Sequence, residues 1–388
     1  MARKTPVANV NPTVLRWARE SAGIEMEAVA RRLNVKPETV SNWEDGGASP
    51  TLGTLEKLAA LYKRSLAALF LPRPPEEPPV PRDFRVLRGG GTAPLSPEAR
   101  LALREARRVQ GVATELADEL GEPRPSVVGS ARGRRDAEAL AAKERARLGV
   151  SVEQQRRWRS AYAALRQWRA VLEGQALLTL QLPVPLAELR GCSFGDGGIP
   201  TIVLNSRDAV HARIFTLLHE YAHLLRGTSA LCIPGPGAEA GGRRGRVEAF
   251  CNRFAGAFLV PPEALREDED VREALRSGNA PQALLGRLSA RFRVSREVVL
   301  HGLRRARLIS SAELEAGIQQ LQERRPAQPK ARRGGPPPAK RCVQQKGEYF
   351  ANLVFEAQAR DLITYSDVAD YLSVRVKHFD KVQSLLQR

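Results

Sequence analysis

Apolar positions along the chain recur mostly at helical spacing, in runs separated by Gly, Pro and Asn. Residues 13–70 read as Thr13–Ala22, Glu25–Leu33, Pro37–Glu44, Leu52–Tyr62 and Leu66–Leu71, with Gly23 in the first turn and Asn34-Val35 in the second. Val29, Ala30, Leu33, Val35, Val40, Trp43, Leu55, Leu58, Ala59 and Leu61 would make a small core. Pro37 suits the first position of a helix, where its missing N–H costs nothing. The order predicts a helix-turn-helix whose third segment turns its polar side outward.

The run PRPPEEPPVPR, Pro72 to Arg82, ends this pattern, because closely spaced prolines fix φ and remove backbone donors. We read 1–71 as one domain and 72–95 as a linker. From Ser96 to Leu172 the Ala, Arg, Leu and Glu content favours long helices. After Gly191 the segment GDGGIPTIVLN combines a turn with a β-branched run, Ile199–Leu204, that predicts a strand. A helix follows over Ala209–Leu225, with Ile214, Leu217, Leu218, Ala222 and Leu225 on its apolar stripe and Gly227 placed to end it. A Gly-rich loop, Pro234–Gly245, leads to a second helix over Arg246–Leu259, which stops at Pro261-Pro262. Residues 96–325 thus form the central region, with its core at about 175–262. Residues 326–342 read as a second linker, and 343–388 as a small helical module.

Apolar residues at 43% and charged residues at 27% indicate an ordinary folded protein. The net charge of +18 draws the chain to polyanions, of which nucleic acid is the commonest, although Arg-rich, Lys-poor usage also follows from a biased genome composition. Cys192, Cys232, Cys251 and Cys342 are scattered with no C-x-x-C pair, which indicates neither a thiolate zinc ribbon nor a disulfide framework. The start MARKTPVANVNP has no apolar segment suited to a signal peptide, and no run reaches the roughly 18 to 20 apolar residues of a membrane span. These features predict a cytoplasmic protein without membrane contact.

The chemistry is concentrated in Leu217-Leu218-His219-Glu220-Tyr221-Ala222-His223-Leu224-Leu225, an H-E-x-x-H motif on a predicted helix. A spacing of four residues sets both imidazoles on one face, one turn apart, with Glu220 beside them to act on water. Five histidines in the chain make a chance occurrence of the motif on the order of 0.005. A catalytic zinc commonly takes three protein ligands and keeps one position open. The H-E-x-x-H-x-x-G-x-x-H arrangement is excluded, since Arg226 and Ser229 occupy the Gly and His positions. Glu248, on the flank of the stripe Val247, Phe250, Cys251, Phe254 and Phe258, is the preferred third ligand. Glu239, Asp208 and His211 are the alternatives. Tyr221 and His211 are candidates for stabilising an oxyanion, and the Ile199–Leu204 strand for pairing with an extended substrate or serving as a plain core strand.

The stretch from Ile199 to Pro262, with GIPTIVLN, RIFTLLHEYAHLL and VEAFCNRFAGAFLVP, resembles the ImmA/IrrE family of metallopeptidases. The resemblance implies that His219, His223 and Glu248 are the metal ligands and Glu220 the catalytic carboxylate. It also implies zinc as cofactor, although a set of two His and one Glu accepts other divalent ions. Members of that family accompany or act upon helix-turn-helix repressors. Residues 13–70, most clearly EAVARRLNVKPETVSNWEDGGASPTLGTLEKLA, resemble the Cro/repressor-like XRE family. In the third segment, Lys36, Glu38, Thr39, Ser41 and Asn42 can reach double-stranded DNA. Asn42 suits adenine, Glu38 suits cytosine N4 and Lys36 suits phosphate. Glu38 departs from the expected pattern in setting an acid near phosphates.

The expected architecture is therefore mainly α with a small β component: a five-helix helix-turn-helix domain, a central α+β zincin-like metallopeptidase domain and a small C-terminal helical module. The expected function is that of a DNA-binding regulator whose zinc peptidase cleaves a regulatory protein such as a repressor, with homodimerisation on paired half-sites. The alternative is a non-enzymatic regulator or antitoxin whose metal domain senses or stabilises.

Overall fold

The structure, a computed structural model, describes residues 10–75, 95–123, 127–228, 230–232, 242–277, 282–323 and 335–387. The chain divides into two compact units, Met1–Glu105 and Ala106–Arg388.

In the first unit, α1 (Pro12–Ala22) begins where the Asn11 side chain accepts the Thr13 N–H at 2.9 Å, and ends at Gly23, whose φ of 67° is the left-handed conformation glycine adopts without cost. Helices α2 (Met26–Leu33) and α3 (Pro37–Glu44) are separated by Asn34, also left-handed, and α4 (Leu52–Tyr62) follows with Thr51 as its cap. The expected fifth helix, Leu66–Leu71, is a single 3₁₀ turn over Ala67–Phe70, too short to close α-helical hydrogen bonds. Leu15, Val29, Val40, Leu55, Leu58 and Tyr62 are buried together. Glu44, itself buried, accepts a two-pronged pair from Arg19 at 2.7 and 2.8 Å, tying α3 to α1.

Helix α5 (Pro97–Leu120) runs on into the second unit. There α6 (Ala137–Arg147), α7 (Val152–Arg157) and α8 (Ala161–Glu173) precede the strands β1 (Leu178–Leu182), β2 (Gly191–Phe194) and β3 (Thr201–Asn205). Next come α9 (Val210–Arg226), β4 (Ala230–Cys232) and α10 (Gly242–Leu259). Helix α10 starts within the expected Gly-rich loop, four residues before the predicted boundary, which the modest cost of glycine in a helix permits. The rest of that loop, including Glu239, lies outside the described residues. Six further helices are α11 (Pro262–Arg266), α12 (Glu269–Ser277), α13 (Gln282–Phe292), α14 (Arg296–Arg305), α15 (Ser311–Glu323) and α16 (Pro338–Lys346). The chain closes with α17 (Glu348–Ala359), α18 (Tyr365–Leu372) and α19 (Phe379–Leu386).

The strands form one sheet in the order β1-β3-β2-β4, with β1 parallel to β3 and the other pairs antiparallel. Every residue of β1, β2 and β3 is buried, which explains the continuous apolar run of β3 in place of an alternating pattern. Strand β3 is hydrogen-bonded on both sides. The expectation that Ile199–Leu204 pairs with a substrate is thereby corrected: its backbone groups are already used, and β4 holds an outer edge instead.

Helix α16 begins at Pro338, inside the stretch expected as a linker, because proline is favoured in a first helical turn even as it breaks interiors. It packs against β1. Buried Arg169 of α8 donates to the Thr179 carbonyl at 2.6 Å and to the Gln344 carbonyl at 2.9 Å. Glu173 accepts the backbone N–H groups of Glu348 and Tyr349 at 2.7 and 3.0 Å, capping α17. Buried charge thus builds the C-terminal helices into the second unit. Among the described residues, no helix is long and apolar enough to cross a membrane.

Candidate metal centre

Helix α9 is enclosed by α8, α10 and the sheet, so residues 216–225 are buried on every face. This is unusual for a segment carrying two histidines and a glutamate, and burial of polar groups is tolerated only where they are partnered. His219 and His223 supply partners to each other: their Nε2 atoms lie 3.1 Å apart. Glu248, one turn into the well-packed part of α10, completes the group, with Oε2 at 3.2 Å from His219 Nε2 and Oε1 at 3.4 Å from His223 Nε2. One donor atom from each residue lies within 4.8 Å of the others.

These separations test whether a cation suits the site. Ligand bonds of 2.0 to 2.1 Å around a tetrahedral zinc put neighbouring donor atoms roughly 3.3 Å apart, close to the distances found. The donor set of two neutral imidazoles and one carboxylate leaves one tetrahedral position open. The residues present therefore fit a divalent ion.

Electrostatics separate the four groups. Burial works against charge on His219, yet the Glu248 and Glu220 carboxylates outweigh it and raise its pKa. Burial prevails at His223 and lowers its pKa. Glu248 is held far below the usual carboxylate range, since the two imidazoles overcome its burial. Glu220, fully buried, is pushed up to about 7, chiefly by loss of hydration, with His219 and Ser193 opposing.

Two neighbours of the motif were not legible in the sequence. Ser193 of β2 donates its hydroxyl to Glu220 Oε2 at 2.8 Å, while Glu220 Oε1 is buried without a hydrogen-bond partner among the described residues. Gly191 makes this contact feasible: a Cβ there would lie 2.4 Å from Thr216 Cγ2 and 2.9 Å from the Val203 carbonyl oxygen, so only glycine lets β2 come this close to α9. A glycine within a strand was the one available signal. The second neighbour is Thr228, whose hydroxyl lies 3.1 Å from His223 Nδ1.

Other sequence candidates lie elsewhere. Tyr221 is turned away from the metal group. Its hydroxyl donates to Glu144 Oε2 at 2.7 Å and accepts from Arg147 at 2.7 Å, so it is committed to the α6 interface and is corrected as an oxyanion donor. Asp208 accepts the Ala209 N–H and pairs with Arg190 at 3.4 Å, before α9 begins. His211 occupies the first turn of α9, two turns ahead of His219. In the first unit Lys36, the N-cap of α3, is exposed, as are Glu38 and Asn42 on the helix, and Thr39 and Ser41 are half-buried. The Ser41 hydroxyl donates to Asp45 Oδ2 at 2.8 Å.

A helix that carries both histidines and the glutamate, beside a mixed sheet and crossed by a second helix bearing a carboxylate, defines a metallopeptidase-type domain. Comparison with known families agrees: residues 173–304 match the IrrE N-terminal-like peptidase domain, and residues 15–69 match the helix-turn-helix family. The chain is thus a fusion of an XRE-type helix-turn-helix domain with an IrrE-like domain. No curated protein matches it.

Proposed function

We propose that this protein is a DNA-binding regulator whose IrrE-like domain is a zinc-dependent endopeptidase acting on a regulatory protein, such as a repressor. The observation that carries the reading is the convergence of His219, His223 and Glu248 within hydrogen-bonding range of one another, in a buried site next to a carboxylate with one oxygen uncommitted.

His219, His223 and Glu248 would hold the zinc. When bound, the ion supplies Lewis acidity, polarising a peptide carbonyl and acidifying water. Glu220 Oε1 accepts the proton of the attacking water and returns it to the leaving amine nitrogen, while Ser193 keeps Oε2 fixed. Leu217, Leu218, Leu224 and Phe254 exclude bulk water from the helix pair that carries these groups. Among the described residues β4 is an outer strand of the sheet, and its outer side would take an extended substrate as a further strand. In the first unit, α3 reads double-stranded DNA through Lys36, Glu38, Thr39, Ser41 and Asn42, as a homodimer on paired half-sites.

The experiment is metal analysis of the purified full chain and its Glu220→Gln variant, each then incubated with a complex peptide library whose products are read by mass spectrometry. One zinc per chain in both, with cleavage by the wild type alone, supports the reading. Zinc in both without cleavage of the library, of the chain itself or of a helix-turn-helix repressor by the wild type sinks the peptidase and leaves a metal-stabilised DNA-binding regulator.

A further inference from the structure

Helix α9 ends at Gly227, whose φ of 66° turns the chain back on itself. That reversal hangs Thr228 beside the last turn. Its N–H donates to the His223 carbonyl at 3.0 Å, its hydroxyl donates to the same carbonyl at 3.2 Å, and the hydroxyl oxygen lies 3.1 Å from His223 Nδ1.

A hydroxyl has one hydrogen. Donated to Nδ1, it would leave the carbonyl to the Thr228 N–H alone; donated to the carbonyl, as the 3.2 Å contact has it, it leaves the oxygen to accept from Nδ1, which carries the ring proton. The neutral ring is then the tautomer whose lone pair sits on Nε2. Nε2 is also the atom that faces His219 Nε2 at 3.1 Å and Glu248 Oε1 at 3.4 Å.

We propose that Thr228 is a positioning residue of the metal centre, which holds the His223 ring in the Nδ1-protonated tautomer with the Nε2 lone pair aimed between His219 and Glu248. The inference rests on the metal reading above. The helix cap and the ligand orientation are one device: the residue that satisfies a terminal carbonyl of α9 also engages Nδ1 of His223 and leaves Nε2 facing His219 and Glu248. Without the hydroxyl, both tautomers and both ring orientations become accessible, and part of the binding free energy goes into selecting one.

The test uses the full chain stripped of metal, with Thr228→Val, which keeps the branched shape and loses the hydroxyl, and Thr228→Ser, which keeps the hydroxyl and loses the methyl. Zinc affinity is read by competition with a chromophoric chelator. The valine variant should bind zinc about 10 to 100 times more weakly than wild type, and the serine variant within about threefold of it. Nitrogen-15 spectra of the zinc-loaded wild type should show the proton on Nδ1 of His223 and coordination at Nε2, a readout independent of any variant's folding. Equal affinity of wild type and the valine variant, equal weakening in both variants, or coordination through Nδ1 would each overturn the proposal. A wild-type chain that takes up no zinc would instead remove the metal reading on which it stands.

Discussion

Ser193 and Glu220, both fully buried, are joined by a 2.8 Å hydrogen bond between the middle of β2 and the middle of α9. A carboxylate fixed through one oxygen presents the other in a single orientation. Removing a hydrogen bond to a charged group costs roughly 1.5 to 3 kcal/mol. Ser193→Ala should therefore lower kcat by about 10- to 100-fold, with KM and zinc content unchanged. A fall in zinc content instead would show that the serine supports the fold of the site and not the base.

Glu220→Gln is close to isosteric and removes the proton acceptor. Cleavage should fall by about 10²- to 10⁴-fold, the range of general-base catalysis, while zinc stays at one per chain by elemental analysis. Cleavage retained at the wild-type rate would take Glu220 out of the reaction.

Glu248→Ala should lose most of its zinc while keeping the wild-type helical circular dichroism, since Glu248 lies at the edge of the buried stripe of α10. Stripping zinc from the wild type with a chelator should lower the thermal midpoint of the second unit, because a ligand that binds only the folded state stabilises it by mass action. A midpoint insensitive to both chelator and added zinc would contradict this.

In the helix-turn-helix unit, Glu44 is matched by Arg19 at 2.7 Å, with side-chain exposures of 3% and 11%. Breaking this pair leaves Arg19 with only the longer contacts to the exposed Glu20 carboxylate at 3.4 Å and the Ile24 carbonyl at 3.3 Å. Glu44→Ala should destabilise this unit by roughly 3 kcal/mol in urea unfolding. A loss below about 1 kcal/mol would place the pair with ordinary surface bridges.

Asn42 is exposed on α3, and its Oδ1 would lie 2.7 Å from a Cβ added at Gly47, so a side chain at position 47 would displace it. Asn42→Ala should cost about 1 to 3 kcal/mol at one base position of the operator and relax preference there. Uniform weakening over all sequences would assign it to phosphate contact instead.

Local pattern makes much of this protein legible from its sequence. The helices of the first unit, the helix bearing His219 and His223 and its stop at Gly227 all follow from spacing and capping chemistry that act within a few residues. The expected boundaries failed where local signals are ambiguous: a last apolar run settles as a 3₁₀ turn, and a proline taken to mark a linker opens α16.

The pairing of the two imidazoles is written into the chain itself, because residues four apart on a helix must share a face. The company they keep is only partly so: the apolar stripe of α10 and the family resemblance point to Glu248, but neither carries its distance from the rings, and nothing in the pattern points to Ser193 or Thr228. Glu248 arrives on another helix, Ser193 on a strand admitted by Gly191, and β3 becomes interior only because strands from both sides add to it. These contacts join positions far apart along the chain, and their geometry is set by how sheet and helices fill one core, a property that no short window of residues contains.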